Sequence, residues 1–221
     1  MNTSNDLSLP YRNPHDLVYY FRRRKGLPTA LAEAGFNEIK TKIKTIGKGR
    51  FVLRRSEVLP TIPFPQDIAV TDIPDATPQI IYDRCGNDEQ ALLARVRYCR
   101  LIDCFTGLSA WHLQGHYRTT VGKGVQVEID EFYLGCNLDG AWFSLPVEAK
   151  TRREKGGIAR DPIAGMSQFS MEAHPDLRCR PLLAKELDDR TILLIELTPA
   201  TEPAEIAIAN VRRYRLQRTA L

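Results

Sequence analysis

Two segments in the middle of the chain alternate between apolar and polar residues. The first covers residues 125–130 and the second residues 145–150, and in each of them every other residue is apolar. A period of two is typical of a β-strand with one buried face. Between the segments, Asp139 and Gly140 precede an apolar run, which is a strong hairpin signal. The pattern therefore predicts a β-hairpin whose polar face carries acidic residues.

The length of the turn decides which residues of this hairpin face one another. A two-residue loop would set Asp130 opposite Ala149, whereas a three-residue loop with a left-handed glycine sets Asp130 opposite Glu148. The second register also sets Glu128 opposite Lys150. Facing side chains have Cβ atoms about 5 Å apart, and two carboxylates at that distance repel unless a cation or a proton lies between them. We therefore expect a divalent-metal site with a lysine beside it.

Further periodic segments lie on both sides of the hairpin. They predict helices over residues 89–104, 163–173 and 203–217 and strands over residues 110–121, 178–184 and 191–197. Asn87 or Asp88 is the expected N-cap of the first helix. The elements give an α/β fold class, more specifically an α+β mixed sheet.

The N-terminal part of the chain has a different texture. We expect two short helices over residues 14–25 and 29–34, followed by a basic hairpin whose strands cover residues 37–45 and 50–55. Five prolines between residues 60 and 78 exclude a helix interior or a central strand there and predict a linker. The predicted domains are a small basic N-terminal α+β module with its linker, residues 1–80, and a second domain, residues 81–221.

Charge separates the two parts further. The chain carries a net charge of +4, and residues 12–55 hold twelve Lys and Arg against three acids, so the remainder is net negative. A basic segment on a mildly acidic body suggests nucleic acid as the partner, although lysines along a strand also form solvated faces that protect its edge. The candidate nucleic-acid contacts in this part are Arg22, Arg23, Arg24, Lys25, Lys40, Lys42, Lys44, Lys48 and Arg50.

The chain carries no signal of a membrane or a secretory route. No apolar run approaches the ~18 residues of a membrane span, and the first six residues lack the basic start and apolar core of a signal peptide. We therefore expect a cytoplasmic protein with no membrane partner.

An Asp near the end of one strand and Glu-x-Lys on the next resembles the PD-(D/E)xK nuclease superfamily, which has the restriction-endonuclease-like fold. The matching residues are Asp130, Glu148 and Lys150, while Ile129 replaces the Pro that usually precedes the Asp. The predicted order, α-β-β-β-α-β, is the order that this core requires. The resemblance implies that the two acids bind Mg²⁺, for which Mn²⁺ can substitute. It also implies that Lys150 orients or deprotonates the attacking water and offsets phosphate charge.

Other residues are weaker candidates for the same site. Glu128 is either a further metal ligand or the ion-pair partner of Lys150. Glu89 resembles an acid that some family members direct at the metal, but it also suits the first turn of a helix because of the helix dipole. Gln168 resembles a catalytic Gln of several branches, with an ordinary surface position as the alternative. The loop after Lys150 adds three candidate contacts with the nucleic-acid backbone: Arg152, Arg153 and Lys155.

Taken together, these features predict a Mg²⁺-dependent endonuclease that hydrolyses DNA phosphodiester bonds, possible roles being restriction or DNA processing. Because one site per chain cuts one strand, a homodimer is the expected way to cut both. The alternative is a catalytically inactive nucleic-acid-binding protein on the same fold.

Overall fold

The computed structural model describes residues 61–122, 124–188 and 190–218, residue 59, and the backbone of residues 41–47 and 50–55. The chain divides into two units. One comprises Met1–Leu59 with Lys123–Val125, and the other comprises Pro60–Gly122 with Gln126–Leu221.

In the first unit, the predicted basic hairpin is present. Strand β1 (Thr41–Gly47) pairs antiparallel with β2 (Arg50–Arg55), with a register shift between Thr45 and Gly47. Lys42 and Lys44 belong to β1, and Arg50 begins β2. The two predicted N-terminal helices lie outside the described residues, as do Arg22, Arg23, Arg24, Lys25, Lys40 and Lys48.

The second unit has a mixed α/β architecture. Its strands are β3 (Thr61–Ile62), β4 (Val70–Pro74), β5 (Ser109–Val121), β6 (Val125–Cys136), β7 (Trp142–Lys150), β8 (Ile158–Ala159), β9 (Arg178–Cys179), β10 (Leu182–Glu186), β11 (Thr191–Leu197) and β12 (Ile208–Gln217). Its α-helices are α1 (Gln79–Arg84), α2 (Glu89–Tyr98), α3 (Leu101–Thr106) and α4 (Arg160–Ala173), and a 3-10 helix covers Pro203–Glu205.

Among the described residues, eight of these strands form one mixed sheet in the order β4-β12-β11-β10-β7-β6-β5, with β9 beside β7. Strand β10 runs parallel to β7 and antiparallel to β11. The two remaining short strands, β3 and β8, pair with each other. The sheet therefore has β4 at one edge and the long strand β5 at the other.

The core lies between the sheet and its helices. Helices α2 and α3 bury Leu92, Val96 and Ile102 against apolar residues of β7, β10 and β11. As predicted, Asp88 caps α2, because its Oδ1 accepts a hydrogen bond from the Ala91 N–H at 2.9 Å. Helix α4 packs near β7 and β5, with its Phe169 against aromatic rings of β5 and β6.

The predicted helix over residues 203–217 is wrong. After the 3-10 helix, the chain forms β12, which lies between β11 and β4. Tyr214 and Leu216 are buried while Arg215 between them is exposed, a period of two rather than 3.6. Pairing on both sides satisfies the backbone hydrogen bonds of β12, and this tertiary interaction overrides the local helix signal of the segment.

Part of the predicted linker belongs to the sheet of the second unit. Val70–Pro74 forms the edge strand β4, which pairs in parallel with β12 and carries an ion pair from Asp72 to Arg215 at 2.6 Å. Pro74 is tolerated there because it ends an edge strand. The division between the units consequently falls after Leu59 and not after residue 80.

Two predicted elements are interrupted. The helix predicted over residues 89–104 breaks at Arg100, which adopts a left-handed conformation with φ 49° and separates α2 from α3. The strand predicted over residues 178–184 is divided into β9 and β10 around Pro181, which has no N–H to donate. Within the described part of the chain, no helix has both the length and the apolarity that crossing a bilayer requires.

Candidate active site

The three-residue loop predicted for the β6–β7 hairpin is confirmed. Paired residues run without a shift from Cys136 and Trp142 to Glu131 and Val147, which is the register that this loop produces. Gly140 has φ +81°, as the left-handed position of such a turn requires. The ladder of paired residues ends one position before Asp130 and Glu148 would face each other.

Asp130 replaces a ladder hydrogen bond with its own side chain. Its Oδ2 accepts the backbone N–H of Ala149 at 2.7 Å. This bond binds the carboxylate to the neighbouring strand at the point where β6 leaves the β7 ladder. The Asp130 carboxylate is therefore held in one orientation by the neighbouring strand.

Glu148 and Lys150 lie two residues apart on β7 and therefore share one face of the strand. Their side chains are 12% and 18% exposed, and Lys150 Nζ lies 2.7 Å from Glu148 Oε1. Two further carboxylates surround the same ammonium: Glu154 Oε2 at 3.3 Å and Glu89 Oε1 at 3.8 Å. The N-terminal end of α2 thus brings Glu89 to the predicted site.

Burial and mutual repulsion shift the titration of these acids. Burial, together with the charges of Asp130 and Glu89, raises the pKa of Glu148 to about 7 against the opposing effect of Lys150. Burial also raises the pKa of Asp130, although the N–H of Ala149 and the ammonium of Lys150 lower it. The pKa of Lys150 is raised by its carboxylate neighbours, which outweigh its own burial. Lys150 is therefore a cation at neutral pH.

The donor chemistry of the site suits a hard cation. Among the residues that the structure describes, no three His, Cys, Asp or Glu side chains are grouped closely enough to hold a metal ion together. Mg²⁺ in proteins commonly uses one or two carboxylates and keeps several waters, and the partly buried acids Asp130 and Glu148 provide that number. The elevated pKa values of both acids mark a place where an added positive charge is favourable.

Two of the sequence candidates have other partners. Glu128, half exposed, forms an ion pair with Arg118 of β5 at 2.9 Å, so the facing pair predicted with Lys150 does not form. Gln168 of α4 donates a hydrogen bond to Glu172 at 2.8 Å and packs close to Gly122 in the turn after β5. The described contacts of both residues therefore lie away from Glu148 and Lys150.

The basic loop after β7 is exposed at Arg152, Arg153 and Lys155. Hydrogen bonds with residues of β10 hold the backbone of this loop. The buried Lys185 donates to the carbonyl oxygen of Thr151 and to that of Glu154 at 2.7 Å, while the Arg152 N–H donates to Glu186 at 3.4 Å. The loop is consequently tied to the strand that runs parallel to β7.

Sequence reasoning missed Glu154 and Lys185. Glu154 carried no signal, since a single acid within a basic loop has no periodicity to interpret. Lys185 did carry one, because a lysine inside the apolar strand Leu182–Glu186 is unusual, and a buried charge requires partners.

Comparison of the chain with protein-family models, with curated proteins and with solved structures returned no match.

Proposed function

We propose that this protein is a Mg²⁺-dependent endonuclease that hydrolyses phosphodiester bonds of DNA. The observation that carries the proposal is the arrangement of Asp130, Glu148 and Lys150 at the end of the β6–β7 ladder. There Asp130 is fixed by the Ala149 N–H at 2.7 Å, and Lys150 contacts Glu148 at 2.7 Å. The exposed basic loop that follows Lys150 directly gives the site a complementary surface for a polyanion.

The order of elements supports the restriction-endonuclease-like assignment. From residue 89 onward the chain runs through helices α2 and α3, strands β5, β6 and β7, the short strand β8, helix α4, the short strand β9, and then β10 parallel to β7. Apart from β8 and β9, this order is compatible with the helix, three strands, helix and strand of that core, to which β11, β12 and β4 would be additions. Ile129 at the position of the usual Pro is a departure that leaves the acidic and basic residues in place.

Each residue has a role that follows from its contacts. Asp130 and Glu148 would hold Mg²⁺, which when bound lowers the pKa of water and neutralises phosphate charge. Because Lys150 is cationic at neutral pH, it suits donating hydrogen bonds to the attacking water and offsetting phosphate charge better than it suits removing a proton. Glu154 and Glu89 are further carboxylate contacts of the Lys150 ammonium, beside its contact with Glu148.

A catalytically inactive DNA-binding protein is the second candidate. It is favoured by one observation: among the described residues, the Lys150 ammonium is already paired with the carboxylates around it. A cytoplasmic location and a homodimer stay predictions from the sequence.

Cleavage of supercoiled plasmid and genomic DNA tests the proposal. We expect Mg²⁺ or Mn²⁺ to support nicking, EDTA to abolish it, and the Asp130→Asn and Lys150→Ala proteins to lose at least about 100-fold in rate, the size of typical acid, base and electrostatic contributions. Asp176→Asn makes the same chemical change as Asp130→Asn in an exposed turn and is the matched control.

If Asp130→Asn cuts DNA at an unchanged rate, the assignment of Asp130, Glu148 and Lys150 as the active site is refuted. If no substrate is cut but DNA binding persists, and binding tightens when Asp130 loses its charge, the inactive binder is the better description.

A further inference from the structure

The ammonium of Lys150 lies between two carboxylates that differ in their place in the proposed site. Its Nζ is 2.7 Å from Glu148 Oε1 and 3.3 Å from Glu154 Oε2. Glu148 is a proposed ligand of the metal, whereas Glu154 belongs to the loop after β7, four residues beyond Lys150. One ammonium therefore connects a residue assigned to the metal with a residue that has no such assignment.

An ammonium and a divalent cation compete for the same carboxylate. Glu148 attracts both of them, but the two cations repel each other when one carboxylate carries them together. The side chain of Lys150 is only 18% exposed, so its charge needs another partner within the protein if it leaves Glu148. Glu148 therefore binds a metal more readily when a second carboxylate is in place to receive Lys150.

The loop holds Glu154 in such a position. The Oε1 atom of Glu154 accepts the N–H of Thr151 at 3.0 Å, while its Oε2 is the atom nearest Lys150. The N–H of Glu154 donates to the carbonyl oxygen of Thr151 at 3.1 Å, and the buried Lys185 of β10 donates to the carbonyl oxygen of Glu154 at 2.7 Å. Both the carboxylate and the main chain of Glu154 are thus fixed, although its side chain is 41% exposed.

Glu89 is a third carboxylate near this ammonium and a weaker candidate for the same role. Its Oε1 lies 3.8 Å from Lys150 Nζ, which exceeds hydrogen-bond distance. It is the first residue of α2 and so belongs to a separate element, whereas Glu154 follows Lys150 in the same segment. The contacts therefore favour Glu154.

We propose that Glu154 is a positioning residue that becomes the partner of Lys150 when Glu148 binds a divalent cation. This inference rests on the proposed function in one respect, namely that Asp130 and Glu148 hold the metal. Glu154 keeps the ammonium beside the site and frees Glu148 from it. Without Glu154, the closest partner of Lys150 is Glu148 alone, and the ammonium then opposes metal binding.

Binding of Mn²⁺ in the absence of DNA tests this role without a measurement of cutting. Free Mn²⁺ is followed by electron paramagnetic resonance in titrations of the full-length wild-type protein, Glu154→Gln, Lys150→Met and the double variant. We expect Glu154→Gln to weaken Mn²⁺ binding at least about 5-fold, within the range of coupling between residues in contact. In the Lys150→Met background the same change should alter binding less than about 2-fold, because no ammonium needs a second partner.

Two further variants separate contact from charge. Glu202→Gln makes the same chemical change at an exposed position before the 3-10 helix and is the matched control. Glu154→Asp keeps the charge but shortens the side chain by one methylene, so it should weaken Mn²⁺ binding as Glu154→Gln does. This variant decides the question if Lys150→Met does not fold.

Three results would overturn the positioning role: unchanged Mn²⁺ binding by Glu154→Gln, an equal loss from Glu154→Gln in both backgrounds, or wild-type binding by Glu154→Asp. The positioning role and the nuclease fail separately. Mn²⁺-dependent cutting with equal losses in both backgrounds refutes the positioning role alone, whereas coupled losses in a protein that cuts no DNA refute the nuclease alone. A wild-type protein that binds no Mn²⁺ refutes the metal site and the positioning role together.

Discussion

The buried ion pair between α2 and β10 allows a quantitative test of how the site is supported. Arg95 and Glu186 have side chains 9% and 3% exposed and approach to 2.5 Å. The second carboxylate oxygen of Glu186 accepts the Arg152 N–H at 3.4 Å, so this pair connects the helix that carries Glu89 to the loop after Lys150. Removing one partner leaves the other charge buried without its counter-charge.

A double-mutant cycle measures the consequence. We expect Arg95→Met and Glu186→Met each to lower the free energy of unfolding by about 3–5 kcal/mol, the usual cost of breaking a buried pair from one side. The double variant should lose no more than either single variant, because no unpaired charge remains. With a urea dependence of about 1–3 kcal/mol per molar, each single change moves the unfolding midpoint by roughly 1–5 M.

Urea unfolding followed by tryptophan fluorescence is the appropriate assay, since both tryptophans report on the second unit. Losses that simply add in the double variant would refute the reasoning, because independent residues add and coupled ones do not. Single variants that each lose under about 1 kcal/mol would show that the pair is hydrated and not buried as described.

Three further predictions concern the hairpin. Burial raises the pKa of Glu148 from 4.5 to about 7, so the folded state binds a proton that the unfolded state has released. The free energy of unfolding should therefore fall as pH rises through this window, and Glu148→Gln should remove that fall. Because a metal binds the charged carboxylate, Mg²⁺ should raise the melting temperature more at pH 8 than at pH 5, and an equal effect at both would contradict a site at Glu148. Gly140→Ala should cost about 1–2 kcal/mol in urea unfolding, because φ +81° is strained for alanine while its Cβ meets no atom within 4 Å. Gly156→Ala, which has equal space and no positive φ, should change stability little, and equal losses in both variants would exclude strain as the cause.

The core of the candidate site could be predicted from local sequence. Period-two alternation gave the strands of the hairpin, and a glycine suited to positive φ at position 140 gave its register. The cap of α2 at Asp88 followed from the preference of a short acidic side chain for the first free N–H groups. These features are decided within a few residues of the chain, so a sequence carries them directly.

Partners that are distant in sequence could not be predicted in the same way. Helix and strand signals compete in residues 208–217. The segment forms a strand because it pairs with β11 on one side and with β4 on the other. The hydrogen bond from the Ala149 N–H to the Asp130 carboxylate depends on where two strands separate. Glu128 forms its ion pair with Arg118, and not with Lys150, because β5 lies beside β6.

The sequence by itself thus determined which residues are chemically able to form the site and on which strand face they lie. Only the tertiary structure decided which of them meet. The contact of Glu89 with Lys150, together with the hydrogen bond from Lys185 of β10 to the carbonyl oxygen of Glu154, joins three separate parts of the chain. The physical reason is that backbone periodicity is local, whereas the position of a carboxylate relative to an ammonium is set by the packing of elements far apart in sequence.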